Sequence, residues 1–357
     1  MPAAEVGLFF EPVFVSVIMP IRNESNFIGR SLGAVLTQDY LHQFLEVLIA
    51  DGMSVDGTPE AIARVAEAHP EIPVTVIENT GAIVSTGFNL ALARARGGVI
   101  VRIDGHTIIA PDYIRQCVIA LQRSGADNVG GRMDAVGQTR FGEAVSLATS
   151  TPFGVGGASF HYSEREAWVD TVYMGAWPRR VFDRVGAFDE EQVRNQDDEF
   201  NYRLRESGGR ILLSPSIKSR YYTRSTPTAL WQQYYEYGYW KVRVMQKHPW
   251  QMRPRQFVPP FFAAALLVSS GLAPFFAAAQ WGLGLAVGCY TAANLTASAM
   301  TSRWRNWRLL PLLTLAFAIL HLSYGLGFLS GLVRFWNRWG RKGMGGAGLP
   351  TPPIASG

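Results

Sequence analysis

A chain of 357 residues with 33 basic and 28 acidic side chains carries a formal charge of +5, and 48% of its residues are hydrophobic. That apolar share excludes a disordered chain, and a total of two cysteines, Cys117 and Cys289, excludes a disulfide-stapled secreted scaffold. The basic excess comes in part from arginines flanking apolar runs (Arg253, Arg255, Arg303, Arg305, Arg308, Arg334, Arg338 and Arg341), which suits anionic lipid headgroups and argues against nucleic acid.

Charged residues thin out after Gln256, where long apolar runs take over. The chain is therefore expected to hold a soluble domain over residues 1–225, an aromatic interfacial helix region over 226–256, a membrane region over 257–335 and a basic, then Gly/Pro-rich tail over 336–357. Met1-Pro2-Ala3-Ala4-Glu5 offers neither the basic nor the apolar part of a secretory signal. The expectation is a cytoplasmic soluble domain on a multi-pass protein of the inner cell membrane.

Residues 14–19 read as an apolar strand ending at Pro20, followed by a helix over 26–36. A second strand, 45–50, stops at Asp51. Asp56-Gly57-Thr58-Pro59-Glu60 then supplies a turn, a Thr cap, a proline in the first helical turn and an early acid. A strand over 74–78, a helix over 86–96 and a strand over 99–103 continue the alternation. Near-continuous apolar strands alternating with helices predict an α/β fold whose mainly parallel sheet is covered on both faces.

In such sheets ligands gather beyond the carboxyl ends of the strands, where Pro20 to Glu24, Asp51 and Asp104 fall. A single acid there caps the next helix; three strands delivering polar groups to one edge predict a nucleotide pocket. No Gly-x-Gly-x-x-Gly or Walker sequence follows the first strand, which argues against a dinucleotide enzyme or a P-loop ATPase. Phosphates would then need a metal. Asp104 and His106, two apart in extended chain, point the same way, and a carboxylate with an imidazole suits Mn2+ or Mg2+.

Beyond Pro111, residues 112–123 read as helix, 129–136 as extended chain, 154–157 as a glycine-rich loop and 174–182 as a turn entering a helix. Asn195-Gln196-Asp197-Asp198-Glu199-Phe200 opens a helix that ends at Gly208-Gly209, and three adjacent acids at its start mark either dipole-favoured capping or a carboxylate poised as a base. Short strands over 210–213 and 217–222 follow. The helix from Thr226 interleaves aromatic and basic residues, fitting either a membrane-interface helix or an aromatic core helix.

Three apolar segments, 257–279, 281–300 and 309–333, approach the ~20 residues needed to span hydrocarbon. Pro259, Pro260 and Pro274 speak against a straight first helix, and Gln280 alone between the first two fits a tight hairpin. Arginines at every flank ask for the cytosolic side, which three spans cannot satisfy and two spans with a re-entrant or in-plane segment can.

Four stretches in order carry a resemblance: Val17-Ile18-Met19-Pro20-Ile21-Arg22-Asn23-Glu24, Asp51-Gly52-Met53-Ser54-Val55-Asp56-Gly57-Thr58, Arg102-Ile103-Asp104-Gly105-His106, and Gln196-Asp197-Asp198-Glu199-Phe200 with Arg203. Over residues 15–213 the chain resembles the inverting family-two glycosyltransferases of GT-A fold, and with its apolar segments it is similar to the succinoglycan-type membrane branch. The resemblance implies a GT-A fold with C-terminal transmembrane helices, a UDP-sugar donor and a polyprenyl-diphosphate-linked sugar as acceptor. It implies that Pro20, Arg22, Asn23, Glu24, Arg102 and Asp104 line the donor pocket and that Asp51 meets the uracil. Asp104 takes the first position of the Asp-x-Asp metal motif, and His106 stands where the last Asp is usual.

Asp197 matches the catalytic base, preferred over Asp198, with Glu199 and Arg203 supporting it. For the acceptor channel the aromatic residues Trp177, Trp231, Tyr235 and Trp240, with Arg203, are the candidates, with membrane lipids as further partners. The Gln-x-x-Arg-Trp motif of processive synthases is missing, since Gln232-Gln233 is followed by Tyr-Tyr-Glu. Polyprenyl phosphate or another lipid as acceptor, and a catalytically silent scaffold, are the competing readings.

Overall fold

The computed structural model describes residues 10–156, 160, 163–303 and 306–339; Gly157, Arg305, Arg341 and the tail over 343–357 lie outside the described residues. Four parallel strands form one half of a sheet in the order β3 (Val74–Glu78), β2 (Leu45–Asp51), β1 (Val15–Ile21), β4 (Val99–Arg102). Every residue of β1 is buried, because helices cover both faces and leave no polar side to alternate with. The covering helices include α1 (Ile28–Leu36), α2 (Thr58–Glu67) and α3 (Val84–Leu92). Thr58 does not cap α2 as expected. Gly57, at φ 84°, occupies the N-cap, and the Thr58 hydroxyl instead donates to Asp56 (2.6 Å) and accepts from the Glu24 amide (2.8 Å).

The other half of the sheet departs from the expected pattern. After β5 (Thr107–Ile109), α4 (Tyr113–Ser124), β6 (Asn128–Val136), α5 (Arg140–Thr149), α6 (Pro152–Val155) and β7 (Ala167–Trp168) comes β8 (Tyr173–Pro178), a strand where a turn was expected. It lies antiparallel between β4 and β6. Positive φ at Met174 (60°) and Gly175 (108°) gives its start a turn-like sequence, and Gly175 is required because a Cβ there would sit 2.5 Å from the Trp177 ring. Following α7 (Arg180–Val185) and α8 (Gln196–Glu206), residues 211–222 form one strand, β9 (Ile211–Tyr222), not two. Its pairing with β6 jumps from Gly130↔Leu213 to Arg132↔Lys218, so the stretch around Pro215, which has no N–H to give, bulges out of the ladder.

The remaining chain forms α9 (Pro227–Lys247), α10 (Val258–Leu272), α11 (Ala277–Ser302) and α12 (Leu310–Arg334). Among the described residues one helix, Trp307–Arg334, is long and apolar enough to cross a membrane, and half of its most apolar stretch is buried inside the protein. It runs beside α9 with the same polarity: Leu230 packs with Leu313 and Phe317, and Trp240 with Phe328 and Phe335. Glycines allow this approach. A Cβ on Gly327 or Gly238 would lie 2.0 Å from the Tyr235 or Tyr324 carbonyl oxygen. Gly327→Val is therefore expected to cost about 1–3 kcal/mol by forcing the helices apart. It should appear as a lower thermal midpoint in detergent, and an unchanged midpoint would contradict the packing. The break between α10 and α11 falls at 273–276, with Pro274 in it, rather than at Gln280; the Gln280 amide donates back to the Ala273 carbonyl at 2.8 Å.

Candidate active site

The loop after β1 is held by its neighbours. Asn23, at φ 54°, donates its amide to Ser54 (2.8 Å) and accepts from the Val55 amide (3.0 Å). Asp56, although exposed, accepts from Thr58 and from the Ser25 amide; slight desolvation opposes ionisation there, but these hydrogen bonds outweigh it and pull the carboxyl down to about 2. Glu24 is thus placed with its Oε1 at 2.8 Å from His106 Nδ1. Gly105 makes the approach feasible, because a Cβ there would come within 2.9 Å of both Glu24 Cγ and Ile21 Cγ2.

Buried Arg102 lies between two acids. It donates from Nε to Asp104 Oδ1 (2.9 Å), and its Nη1 stands 3.9 Å from Asp197 Oδ2 with no hydrogen-bond partner. Burial pushes the Asp104 carboxyl up, but Arg102 and His106 outweigh that and hold it below its ordinary range. Burial raises the Asp197 carboxyl above its ordinary range; Arg102 opposes the rise, and Asp104 and Asp198 add to it.

Asp197 and Asp198 open α8 behind Asn195, whose positive φ (62°) is fixed by its side chain donating to the Tyr237 carbonyl at 3.0 Å. The two acids differ in their ties. Asp198 is paired with the buried Lys241 of α9, while Asp197 has only Arg102 as a charged partner within 4 Å among the described residues. Lys241 escaped the sequence reading; its signal was a lysine inside an aromatic helix.

One cavity of about 1740 Å³ joins these groups. Pro20, Arg22, Asn23 and Glu24 line one part, Arg102, Asp104, His106, Asp197, Asp198, Trp240 and Lys241 another, and Val258, Pro259, Phe262, Tyr290, Leu320 and Tyr324 of the C-terminal helices a third. Pockets for single small ligands run to about 1,000 Å³, so this one has room for two. Tyr221, edge-on to His106 with ring centroids 5.4 Å apart, and Gln233, which donates to the Tyr221 and Tyr237 hydroxyls, complete the wall on the α9 side.

Several residues singled out from the sequence stand elsewhere. Trp177 is 0% exposed, packed among Phe88, Phe182, Phe188 and Phe200, and so is a core residue outside the cavity. Glu199 faces away from Asp197: it is bound by Arg203 (2.7 Å) and His248 (3.0 Å), which outweigh burial and keep its carboxyl low. Arg203 also donates to the Val185 and Ala187 carbonyls, which makes it a brace for the loop before α8, not an acceptor contact. Trp231 and Tyr235 lie off the cavity-lining face of α9; Trp231 is exposed, and the Tyr235 backbone abuts Gly327. Asp51 accepts from the Ser54 hydroxyl at 2.5 Å and does not line the cavity.

Asp104 and His106 remain the pair suited to a divalent ion. Glu24 on Nδ1 leaves Nε2 as the free ring nitrogen, the arrangement in which a carboxylate orients a metal-binding imidazole. Among the described residues no cluster of three or more metal-binding side chains occurs. A two-residue donor set fits an ion that takes its other ligands from substrate phosphates and water.

Several known proteins are similar to this chain. The chain is 29% identical over 324 residues to the succinoglycan biosynthesis protein ExoA of Rhizobium meliloti, covering 90% of this chain and 96% of that protein. It is 28% identical over 240 residues to the dolichyl N-acetyl-alpha-D-glucosaminyl phosphate 3-beta-D-2,3-diacetamido-2,3-dideoxy-beta-D-glucuronosyltransferase of Methanococcus voltae, covering 66% of this chain and 74% of that one. Among solved structures the mannosyltransferase PcManGT of Pyrobaculum calidifontis, in complex with GDP-Man and Mn2+, superposes over 92% of this chain and 91% of its own with a TM-score of 0.56 at 21% identity, which shows a shared GT-A fold. Residues 16–185 match the model described as Glycosyl transferase family 2, and the chain carries a glycosyltransferase domain of that family.

Proposed function

We propose that the protein transfers a hexose, with inversion, from a UDP-sugar to a polyprenyl-diphosphate-linked sugar at the cytosolic face of the cell membrane. The observation that carries this reading is the continuous cavity, which is lined by Glu24, Asp104, His106 and Asp197 and also by apolar residues of α10 to α12. A soluble acceptor gives no reason for an apolar wall, whereas a carrier lipid does. The names of the two curated relatives, one in succinoglycan biosynthesis and one acting on a dolichyl-linked sugar, support the same class of acceptor.

The donor would lie along Pro20 to Glu24 with its diphosphate toward Asp104 and His106. Those two residues would hold Mn2+ or Mg2+, which supplies charge neutralisation for the departing nucleoside diphosphate. Asp197 removes the proton from the acceptor hydroxyl as that oxygen attacks the anomeric carbon from the face opposite the leaving group. Its raised carboxyl makes it a better base than an ordinary aspartate. Arg102, between the two acids, holds Asp104 toward the diphosphate and opposes the rise in the Asp197 pKa.

A panel of UDP-sugars offered in nanodiscs with a polyprenyl-diphosphate-linked monosaccharide tests the proposal. UDP release from one donor, dependent on the lipid-linked acceptor and abolished by EDTA, is expected. Release that ignores the acceptor, or none with any donor, contradicts it. Asp104→Ala is expected to remove the strengthening of UDP binding by Mn2+ in calorimetry, and binding equally enhanced by the metal in that variant rules out its assignment.

A further inference from the structure

Resting on the membrane-bound part of that reading, we infer that α10 and α11 form a re-entrant hairpin that dips into one leaflet of the bilayer, and that α12 lies in the membrane plane. Residues 257–302 contain no Asp, Glu, Lys or Arg, and Arg253, Arg255, Arg303 and Arg308 stand at their two ends. Toward the tip the apolar side chains turn outward. Val268, Leu272, Phe276 and Leu285 are exposed, Phe275 is 77% exposed and Trp281 81%. An apolar surface this continuous, ringed at its base by arginines, matches hydrocarbon bounded by anionic headgroups.

Length decides against a crossing. The 15 residues of α10 extend about 22 Å, short of the roughly 30 Å of a hydrocarbon core. Its base is fixed to the rest of the protein, with Arg253 paired to Asp170 at 2.7 Å and Phe257 against Phe328. The hairpin tip therefore goes no deeper than α10 carries it. The 26 residues of α11 do not extend that reach, because its second half returns along α12, with the Asn294 amide donating to the Thr314 carbonyl at 3.0 Å.

Both ends of α12 are held on the side of the catalytic domain. Leu313 and Phe317 near its start pack with Phe141 and Val145 of α5. Just past its end, the Phe335 carbonyl accepts from Gln246 at 2.7 Å, and Arg338 reaches Glu191 at 3.2 Å. The arginines at every flank then face one side of the membrane, which removes the conflict that three spans create.

Cysteine labelling tests this without reading activity, so it stands apart from the proposed reaction. In a Cys289→Ser background, with Cys117 fully buried, single cysteines are introduced by Gly98→Cys on the exposed surface of the catalytic domain, Gly271→Cys near the tip, and Trp307→Cys and Trp336→Cys flanking α12. A Cβ at Gly98 or Gly271 meets nothing within 4 Å, and neither does one at Gly284, whose Gly284→Cys variant repeats the tip readout.

A membrane-impermeant maleimide is added to spheroplasts and to inverted membrane vesicles of the expression host. The Gly98, Trp307 and Trp336 variants should label in inverted vesicles alone, and both tip variants on neither side until detergent is added. Tip labelling in spheroplasts means a crossing hairpin, and tip labelling in inverted vesicles means a hairpin in water. Opposite sides for the Trp307 and Trp336 variants mean a crossing α12. Any of the three overturns the inference.

Discussion

Asp197→Asn is expected to lower turnover by about a hundred- to ten-thousand-fold, the usual contribution of a positioned base, while UDP binding stays unchanged. Asparagine keeps the shape of the side chain and loses its capacity to take a proton. Asp198 cannot take over, because buried Lys241 holds it in an ion pair, whereas Asp197 has only Arg102 at 3.9 Å. Acceptor-dependent transfer and UDP titration, measured on the same preparation, check both halves. Substantial turnover in the variant would reassign the base.

Arg102→Met is expected to be the most damaging substitution outside the acids. The guanidinium is buried between Asp104 and Asp197, and removing one partner of a buried ion pair costs about 3–5 kcal/mol because the other charge is left unpaired. The pH profile separates this from simple unfolding. A base must be deprotonated to act, so activity falls as pH drops through the Asp197 pKa. Burial already raises that pKa and Arg102 opposes the rise, so losing the positive charge moves the acid limb to higher pH. Arg102→Lys retains a charge and should leave the limb closer to its original place. A limb that stays fixed in a folded Arg102→Met protein would falsify the coupling.

The parallel half of the sheet was legible in the sequence because β1, β2 and β4 are buried on both faces and read as apolar runs, with Pro20, Asp51 and Asp104 marking their ends. The antiparallel half was not. Met174 and Gly175 start β8 with positive φ, and Pro215 interrupts β9, so turn chemistry sits inside strands. Within the site, the convergence of Asp104, His106 and Asp197 on one cavity followed from strand ends and a helix start. The supporting roles given to Glu199 and Arg203 did not, and the i to i+4 spacing of that pair already marked a helix-surface ion bridge. Trp177 is beyond such reading, because an aromatic residue in a core and one in a channel look alike in sequence. Aromatic content likewise described α9 without orienting it: one face lines the cavity and another lies against α12.

The measurement closest to the central claim is the chemical identity of the product. Labelled sugar from the accepted UDP-sugar is supplied with a polyprenyl-diphosphate-linked monosaccharide in nanodiscs, and the product is extracted and its anomeric configuration determined by NMR. The account predicts an organic-phase disaccharide-lipid whose new linkage is inverted relative to the donor. A water-soluble product, free sugar alone or a retained configuration would contradict it.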